Sequence, residues 1–450
     1  MNVLLISANR HTEPHPVYPL GLDYVAGAIA SDHDVRIADM NQWPDTAALE
    51  AAIQEQAPDV VGLSLRNTDN TDLTRPMGFM PDYALLMKAV RRASTSPVVL
   101  GGSAFTLFPE EFMAALKADY GIIGEGERLS LLLHALARNN DPSTIEGVIV
   151  RGRPAGLPAP WPWETRRRFD PRSPHLAYYL QNSGVLNLQT KRGCPFQCIY
   201  CTYPYIEGRN MRCLDPADVA RTAVALQAGG ARYIFVTDSA FNADPAHSTA
   251  VARAFKKAGL TIPWGAFFSP SRCASGDYFQ IMADCGLRHA EFGTESLNDT
   301  VLAFYAKPFH SRDVFKAHDS ARAAGIHIAH YFLFGGPGET PRTLEDTLKK
   351  IEDLDKCVLF LFQGMRIFPH TGLYDLALAQ GRITKGRNLI EPAFYQSPGI
   401  DARTIEERIA HRARGRINWV TGAGGEEIAG IVTRMYQKGY SGPLWEYLCR

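Results

Sequence analysis

The chain has 450 residues, and its 47 Lys plus Arg balance 47 Asp plus Glu to a formal net charge of zero. A chain of this length calls for two or three domains, and its neutral balance removes any general electrostatic pull toward nucleic acid or an anionic membrane, which leaves a neutral, mostly non-polymeric substrate as the default. The opening MNVLLISANR has no basic stretch before its apolar run, and no run reaches the ~18 apolar residues of a membrane span, so a cytoplasmic protein is expected.

Short β-rich runs alternate with helix-length segments from the start: VLLIS (3–7), VRIAD (35–39), VVGLSL (60–65), PVVLGG (97–102), YGIIGEG (120–126) and GVIV (147–150). Near-continuous apolar strands spaced in this way predict an α/β, doubly wound parallel-sheet domain over 1–152, binding its ligand at the carboxyl ends of the strands. Residues 153–175 hold six prolines and the run Arg166, Arg167, Arg168. Such a composition predicts a Pro-rich linker over 153–184, its arginines forming a solvated face.

The alternation resumes with VLNLQT (185–190), YIFVTD (233–238), WGAFFS (264–269), HAEFGTE (289–295), IAHYFLFG (328–335) and VLFLFQGMRI (358–367). Six parallel strands over 185–384 predict a partial (β/α)6 barrel with its chemistry at the strand carboxyl ends. The remainder, 385–450, reads as a small helical region, with Ile428, Ile431, Val432, Met435 and Tyr436 as one packing stripe. His330 and Tyr331 read as core side chains of a barrel strand.

Of eight cysteines, three crowd into KRGCPFQCIYCTYP as CxxxCxxC, directly after a predicted strand. Cys194, Cys198 and Cys201 supply three thiolates, which suits a cubane that keeps its fourth iron open for another ligand. A structural zinc site normally takes four protein ligands, and no second cysteine pair completes one. The other five cysteines lie singly and read as small buried hydrophobes.

With Tyr200 just before its third cysteine, this loop resembles the signature of the radical S-adenosylmethionine (SAM) superfamily. The resemblance implies a 4Fe-4S cluster whose open iron chelates the methionyl group of SAM, an electron donor such as flavodoxin or ferredoxin, and a 5'-deoxyadenosyl radical that abstracts a substrate hydrogen. Further pieces follow in the family's order. Asp238, in TDSAFN, offers an acceptor for the methionyl ammonium, and Glu295, in FGTES, one for the ribose hydroxyls or the ammonium. Gly335, Gly336 and Gly338, in FGGPGET, let backbone approach the nucleoside. Arg366 either neutralises the methionyl carboxylate or pairs with a surface acid.

The order VLLIS, PLGLDYVAGAI, DVVGLSLRN, VVLGGSAFT and YGIIGEGE resembles the cobalamin-binding domain that precedes the barrel in one branch of the superfamily. By this resemblance Arg66 and Asn67 after the third strand, and Gly101, Gly102 and Ser103 after the fourth, contact cobalamin. The DxHxxG loop that supplies a histidine to cobalt is absent, and ANRHTEPHPVYPLG stands in its place. The phrasing LSLRNTDN, GGSAF and GEGE is similar to branch members linked to lipid or small-molecule biosynthesis, which implies a C-methyltransferase. A cobalamin-independent radical reaction (cyclisation, rearrangement or transfer of another SAM fragment) and a non-catalytic iron-sulfur sensor are the alternatives.

Overall fold

In the computed structural model the six runs of residues 1–152 become β1 (Asn2–Ser7), β2 (Asp34–Asp39), β3 (Val60–Ser64), β4 (Val98–Gly101), β5 (Tyr120–Ile122) and β6 (Val148–Val150). The structure describes every residue except 13, 14, 44, 163, 164, 272, 274, 275, 423–425 and 450, and the side chains of 426–429. Met1–Thr12, Tyr18–Asn70 and Met77–Tyr179 make up one unit; Leu180–Arg450, with Glu13–Val17 and Thr71–Pro76, make up the other.

The first sheet has the order β2-β1-β3-β4-β5-β6. Strands β1 to β5 run parallel, whereas β6 pairs antiparallel with β5, so the sheet is not wholly parallel as expected. An antiparallel strand at the rim of a parallel sheet is a common ending, because a rim strand must satisfy one neighbour only. The order reverses between β1 and β3, and the loops leaving their carboxyl ends flank the crevice where such sheets bind ligands. Register aligns these exits, with Ser7 opposite Ser64 and Ser64 opposite Gly101.

Arg166 and Arg168 are exposed, as expected of the run, but Arg167 between them departs from the solvated face. Arg167 Nε donates to Asp23 Oδ2 at 2.7 Å, each side chain 2% exposed, and the guanidinium lies over the Tyr18 and Phe169 rings. Tyr18 Oη donates to the other Asp23 oxygen at 3.0 Å. Gly27, in helix α1 (Leu20–Ile29), makes the approach possible: a Cβ there would collide with the Arg166 carbonyl.

In the second unit β7 (Val185–Leu188), β8 (Tyr233–Val236), β9 (Trp264–Phe268), β10 (Leu287–Glu295), β11 (His327–Phe334) and β12 (Cys357–Gln363) lie side by side in chain order, all parallel. Helices α2 (Pro216–Ala228) and α3 (Pro245–Lys257) start alike, each with an aspartate N-cap, Asp215 or Asp244, accepting two backbone N–H groups ahead of a proline whose missing N–H costs nothing there. The C-terminal region is not purely helical: β13 (Trp419–Thr421) adds a seventh parallel strand beside β12. Three residues carry too little alternation to announce a strand. Of the expected C-terminal stripe, Val432 and Tyr436 are buried with Leu444, but Ile431 is exposed; the side chain of Ile428 lies outside the described residues. His330 is a satisfied core histidine, its Nδ1 2.7 Å from Thr294 Oγ1 and its Nε2 3.0 Å from His318 Nδ1. No helix among the described residues is long and apolar enough to cross a membrane.

Candidate active site

The cysteine loop leaves the carboxyl end of β7 and is fixed by backbone bonds before any ligand enters. Cys194 N donates to Gly208 O and Cys201 N to Cys198 O, both at 3.1 Å, while Ile199 bonds to Tyr305 O and accepts from Leu373 N. Gly193 has φ +91°, and a Cβ there would meet the Asn210 carbonyl, so only glycine makes this turn. Asp238, buried at the end of β8, sets the start of the loop: it accepts from Thr190 N at 2.8 Å, Thr190 Oγ1 at 2.6 Å and Lys191 N at 3.4 Å. Both its oxygens are thus engaged by the protein. The structure gives Asp238 the task of holding the loop, where the sequence reading gave it the methionyl ammonium.

The three thiols are free of disulfides and close enough for Cys194 and Cys198 to raise the pKa of Cys201, which burial, the larger cause, pushes up to about 12. They are nevertheless too spread for one ion. Among the described residues, the trio of His, Cys, Asp or Glu side chains with ligand atoms all within 4.8 Å is His318, His330 and Cys357, and the loop cysteines do not form such a trio. A mononuclear zinc, with Zn–S of about 2.3 Å, needs its sulfurs close together. A cubane, whose irons each take one thiolate, fits the wider set.

Beside the loop, β10 ends in a bulge: its register with β11 shifts between Gly293 and Glu295, and Glu295 has φ +60°, a left-handed conformation costly for a residue with a Cβ. That strain aims the carboxylate at the cysteine loop. Glu295 Oε1 accepts from Tyr200 Oη at 2.7 Å and from Lys307 Nζ at 3.1 Å, and Lys307 Nζ also lies 3.0 Å from Tyr200 Oη. The structure therefore joins two residues expected from sequence, Tyr200 and Glu295, through a third that was not. Lys307 sits in AKPF, where a lysine reads as surface charge, yet its side chain is 7% exposed.

The glycine loop after β11 serves a different purpose from the one expected. A Cβ at Gly336 would collide with Tyr305, one at Gly338 with Phe304, and one at Gly335 with Gln396, so the missing side chains make room for the protein's own groups. The loop does carry unspent polarity. Glu339 Oε2 accepts from Gly335 N at 2.7 Å, but Glu339 Oε1 and the Gln396 amide are buried without a partner. Buried polar atoms left in that state call for a ligand, and the polar methionyl and nucleoside groups of SAM match them in chemistry. Arg366 is buried; it donates to the carbonyls of Ile367, Leu389 and Ala393 and lies over Phe368, bracing 389–393.

A carboxylate that sequence reasoning missed altogether lies lower in the barrel. Glu291 Oε2 accepts from Tyr331 Oη at 2.8 Å and Oε1 from Trp445 Nε1 at 3.1 Å. Burial raises its pKa to about 7, with Tyr331 and Trp445 pulling the other way, and its charge in turn raises the pKa of Tyr233 and Tyr331. The folded carboxyl therefore keeps a proton that the unfolded chain releases near pH 4.3, and that stabilisation is present at low pH and lost as pH rises toward 7. Glu291→Gln, which cannot ionise, is expected to gain on the native protein between pH 5 and 7, by about 1.4 kcal/mol per unit at most. Thermal midpoints of both proteins at pH 5 and pH 8 check this; a pH-independent difference would refute it.

In the first unit the expected residues of β3 and β4 meet at one edge. Ser103 Oγ donates to the Arg66 carbonyl at 2.7 Å, and Tyr83 Oη to that of Asn67 at 2.6 Å. Gly101 closes β4, and Gly102, with φ +101°, presses against Leu65, where a Cβ would lie 2.5 Å from its carbonyl oxygen.

Three free thiols in one loop at the mouth of a parallel barrel, with a strained carboxylate beside them, define an iron-sulfur barrel enzyme. Residues 188–351 match the radical SAM superfamily, and residues 6–132 match the B12 binding domain. Tryptophan 2-C-methyltransferase from Streptomyces laurentii is 25% identical over 445 residues, covering 82% of this chain and 73% of that protein. Cytidylyl-2-hydroxyethylphosphonate methyltransferase from Streptomyces wedmorensis is 25% identical over 390 residues, 73% of this chain and 71% of that one. The radical SAM methyltransferase TsrM from Kitasatospora setae, solved with tryptophan substrate and the SAM analogue aza-SAM, superposes with a TM-score of 0.86 at 21% identity, over 99% of this chain and 97% of that chain, a likeness of fold. The chain therefore carries a radical SAM domain, with a B12-binding domain ahead of it in sequence.

Proposed function

We propose that the protein is a cobalamin-dependent radical SAM C-methyltransferase acting on a small molecule. The observation that carries this reading is the succession of a B12-binding domain and a radical SAM domain in one chain, supported by relatives named as methyltransferases. When bound, the cluster and cobalamin supply electron transfer to SAM and carriage of its methyl group; the chain's own residues bind, orient and exclude. Cys194, Cys198 and Cys201 hold the cluster, and Asp238 fixes their loop. Glu295, with one oxygen steadied by Tyr200 and Lys307, turns the other toward the charged or hydroxyl groups of SAM, while Glu339 and Gln396 take further polar atoms of the same cosubstrate. Arg66, Asn67, Gly101, Gly102 and Ser103 form the cobalamin edge, without a histidine for the metal. The electron comes from a flavodoxin or ferredoxin.

With methyl-deuterated SAM, the product is expected to carry the label, and S-adenosylhomocysteine to appear beside 5'-deoxyadenosine. Deoxyadenosine with no labelled product would leave a cobalamin-independent radical reaction instead. Glu295→Gln is expected to weaken SAM binding by ~10- to 100-fold, the loss of one charge-assisted hydrogen bond worth about 1.5–3 kcal/mol, while iron content stays at the native level. Equilibrium dialysis against SAM, with iron assayed on the same sample, reads both; unchanged affinity removes Glu295 from the site.

A further inference from the structure

A (β/α) barrel ordinarily fills its centre with layers of packed side chains. Here burial alternates the other way. Phe267 on β9 is 37% exposed beside Phe268 at 2%; Tyr331 and Leu333 on β11, and Phe360 on β12, are half-buried between fully buried neighbours, and Phe362 is half-buried next to buried Leu361. The less buried set faces inward, because Tyr331 and Phe360 pack with Ala329, Val358 and Trp445, and Phe267 packs edge-on to Tyr331 with ring centroids 6.2 Å apart. The barrel centre is therefore open at this level. Trp445 shuts its floor.

The walls of this chamber are rings. Tyr331 stacks on Phe360 at 4.8 Å and 17°, and lies parallel to Phe362 at 6.2 Å and 2°. Gly293, opposite Tyr331 in register, adds no side chain beside the ring. Polarity is confined to one chain of bonds: Tyr331 Oη donates to Glu291, and Trp445 Nε1 donates to the other Glu291 oxygen. A phenol that gives its proton to a carboxylate keeps lone pairs with which to accept. A long acyl chain would meet the Trp445 floor.

We propose that this chamber receives the substrate and selects a flat aromatic or heteroaromatic ring with an N–H or O–H that donates to Tyr331 Oη, oriented by the chain Tyr331–Glu291–Trp445. Aromatic walls gain from offset and edge-on stacking beyond the area they bury, and a site built around a hydrogen bond rejects the analogue that lacks the donor. The inference rests on the methyltransferase reading for the word substrate, but its geometry does not.

The test is calorimetric binding to the reconstituted, cluster-loaded full chain with three probes: indole, 1-methylindole, which keeps the ring and loses the donor, and 1-octanol. Indole is expected to bind ~10-fold more tightly than 1-methylindole, the size of one hydrogen bond, and more tightly than octanol. Tyr331→Phe should erase the difference between the two indoles while leaving 1-methylindole unchanged, and Phe267→Ala should weaken both. Where Phe267→Ala fails to retain its iron, Phe267→Leu takes its place. Octanol binding as well as indole, an indole preference that survives Tyr331→Phe, or binding of none of the probes overturns the proposal. Indole selectivity without label transfer from SAM refutes the methyltransferase reading alone; label transfer without indole selectivity refutes the chamber alone.

Discussion

Changing Cys198 to alanine is expected to remove the cluster and, with it, every SAM-derived product. The wild-type chain, reconstituted anaerobically, should hold about four irons and four sulfides, as a three-thiolate cubane does. Cys198 occupies the middle of the CxxxCxxC loop, whose backbone is pinned on both sides of it by Cys194 N to Gly208 O, Ile199 N to Tyr305 O and Cys201 N to Cys198 O. None of these bonds uses the thiol, so the loop keeps its course in the variant and loses one ligand. Two thiolates on one short loop do not retain a cubane that needs three. Burial holds the Cys198 and Cys201 thiols above their ordinary pKa, and the metal must displace those protons to bind, so its free energy also stabilises the loop. Iron and sulfide assays, the visible absorbance and 5'-deoxyadenosine formation after reduction read the outcome together. A Cys198→Ala protein that keeps four irons and still cleaves SAM would sink the assignment, whereas Cys213→Ala, outside the loop, should change none of these readouts.

What the sequence made legible follows from the range over which each feature is encoded. The cysteine loop is local: three thiols within eight positions state their own geometry, and the strand before them marks the end of the sheet from which they project. The strands of both sheets apart from β13 were legible for the same reason, since each is a short, mostly apolar run. The partners of Glu295 were not, because Lys307 lies 12 residues and Tyr200 95 residues away, and only the bulge in β10 and the fold of the loop bring them together. The glycine loop shows the limit from another side. A run of glycines announces that Cβ atoms are missing, yet says nothing of what fills the space, which here is Tyr305, Phe304 and Gln396. Asp238 and Arg366 were legible at strand ends only in type: a carboxylate and a guanidinium can serve a ligand or the protein itself, and here Asp238 accepts from Thr190 and the Lys191 backbone while Arg366 donates to backbone carbonyls.

Arg167→Met is expected to destabilise the first unit by about 3–5 kcal/mol, the range for removing one partner of a buried ion pair. Asp23 and Arg167 lie 144 residues apart in sequence and are each 2% exposed, so the aspartate left behind has no water to turn to. Burial already pushes its pKa up, and Arg167 is the main influence pulling it down. Without the arginine the folded carboxyl takes up a proton, while the unfolded one, titrating near 3.9, releases it. A folded pKa above the unfolded value contributes stability at low pH that is lost as pH rises, so the deficit of the variant should be smaller at pH 5 than at pH 8. Tyr18, which donates to the same carboxylate, gives the remaining Asp23 a single hydrogen bond in place of an ion pair. The double variant Asp23→Leu with Arg167→Met leaves no buried charge and is expected to recover most of the loss, since a buried pair exchanged for apolar groups of similar volume is close to neutral. Denaturant unfolding of the three proteins at both pH values separates these outcomes. A loss under 1 kcal/mol for Arg167→Met, or one that the second substitution deepens, would show that the segment carrying Arg167 is held to helix α1 by its backbone contacts and not by the charge.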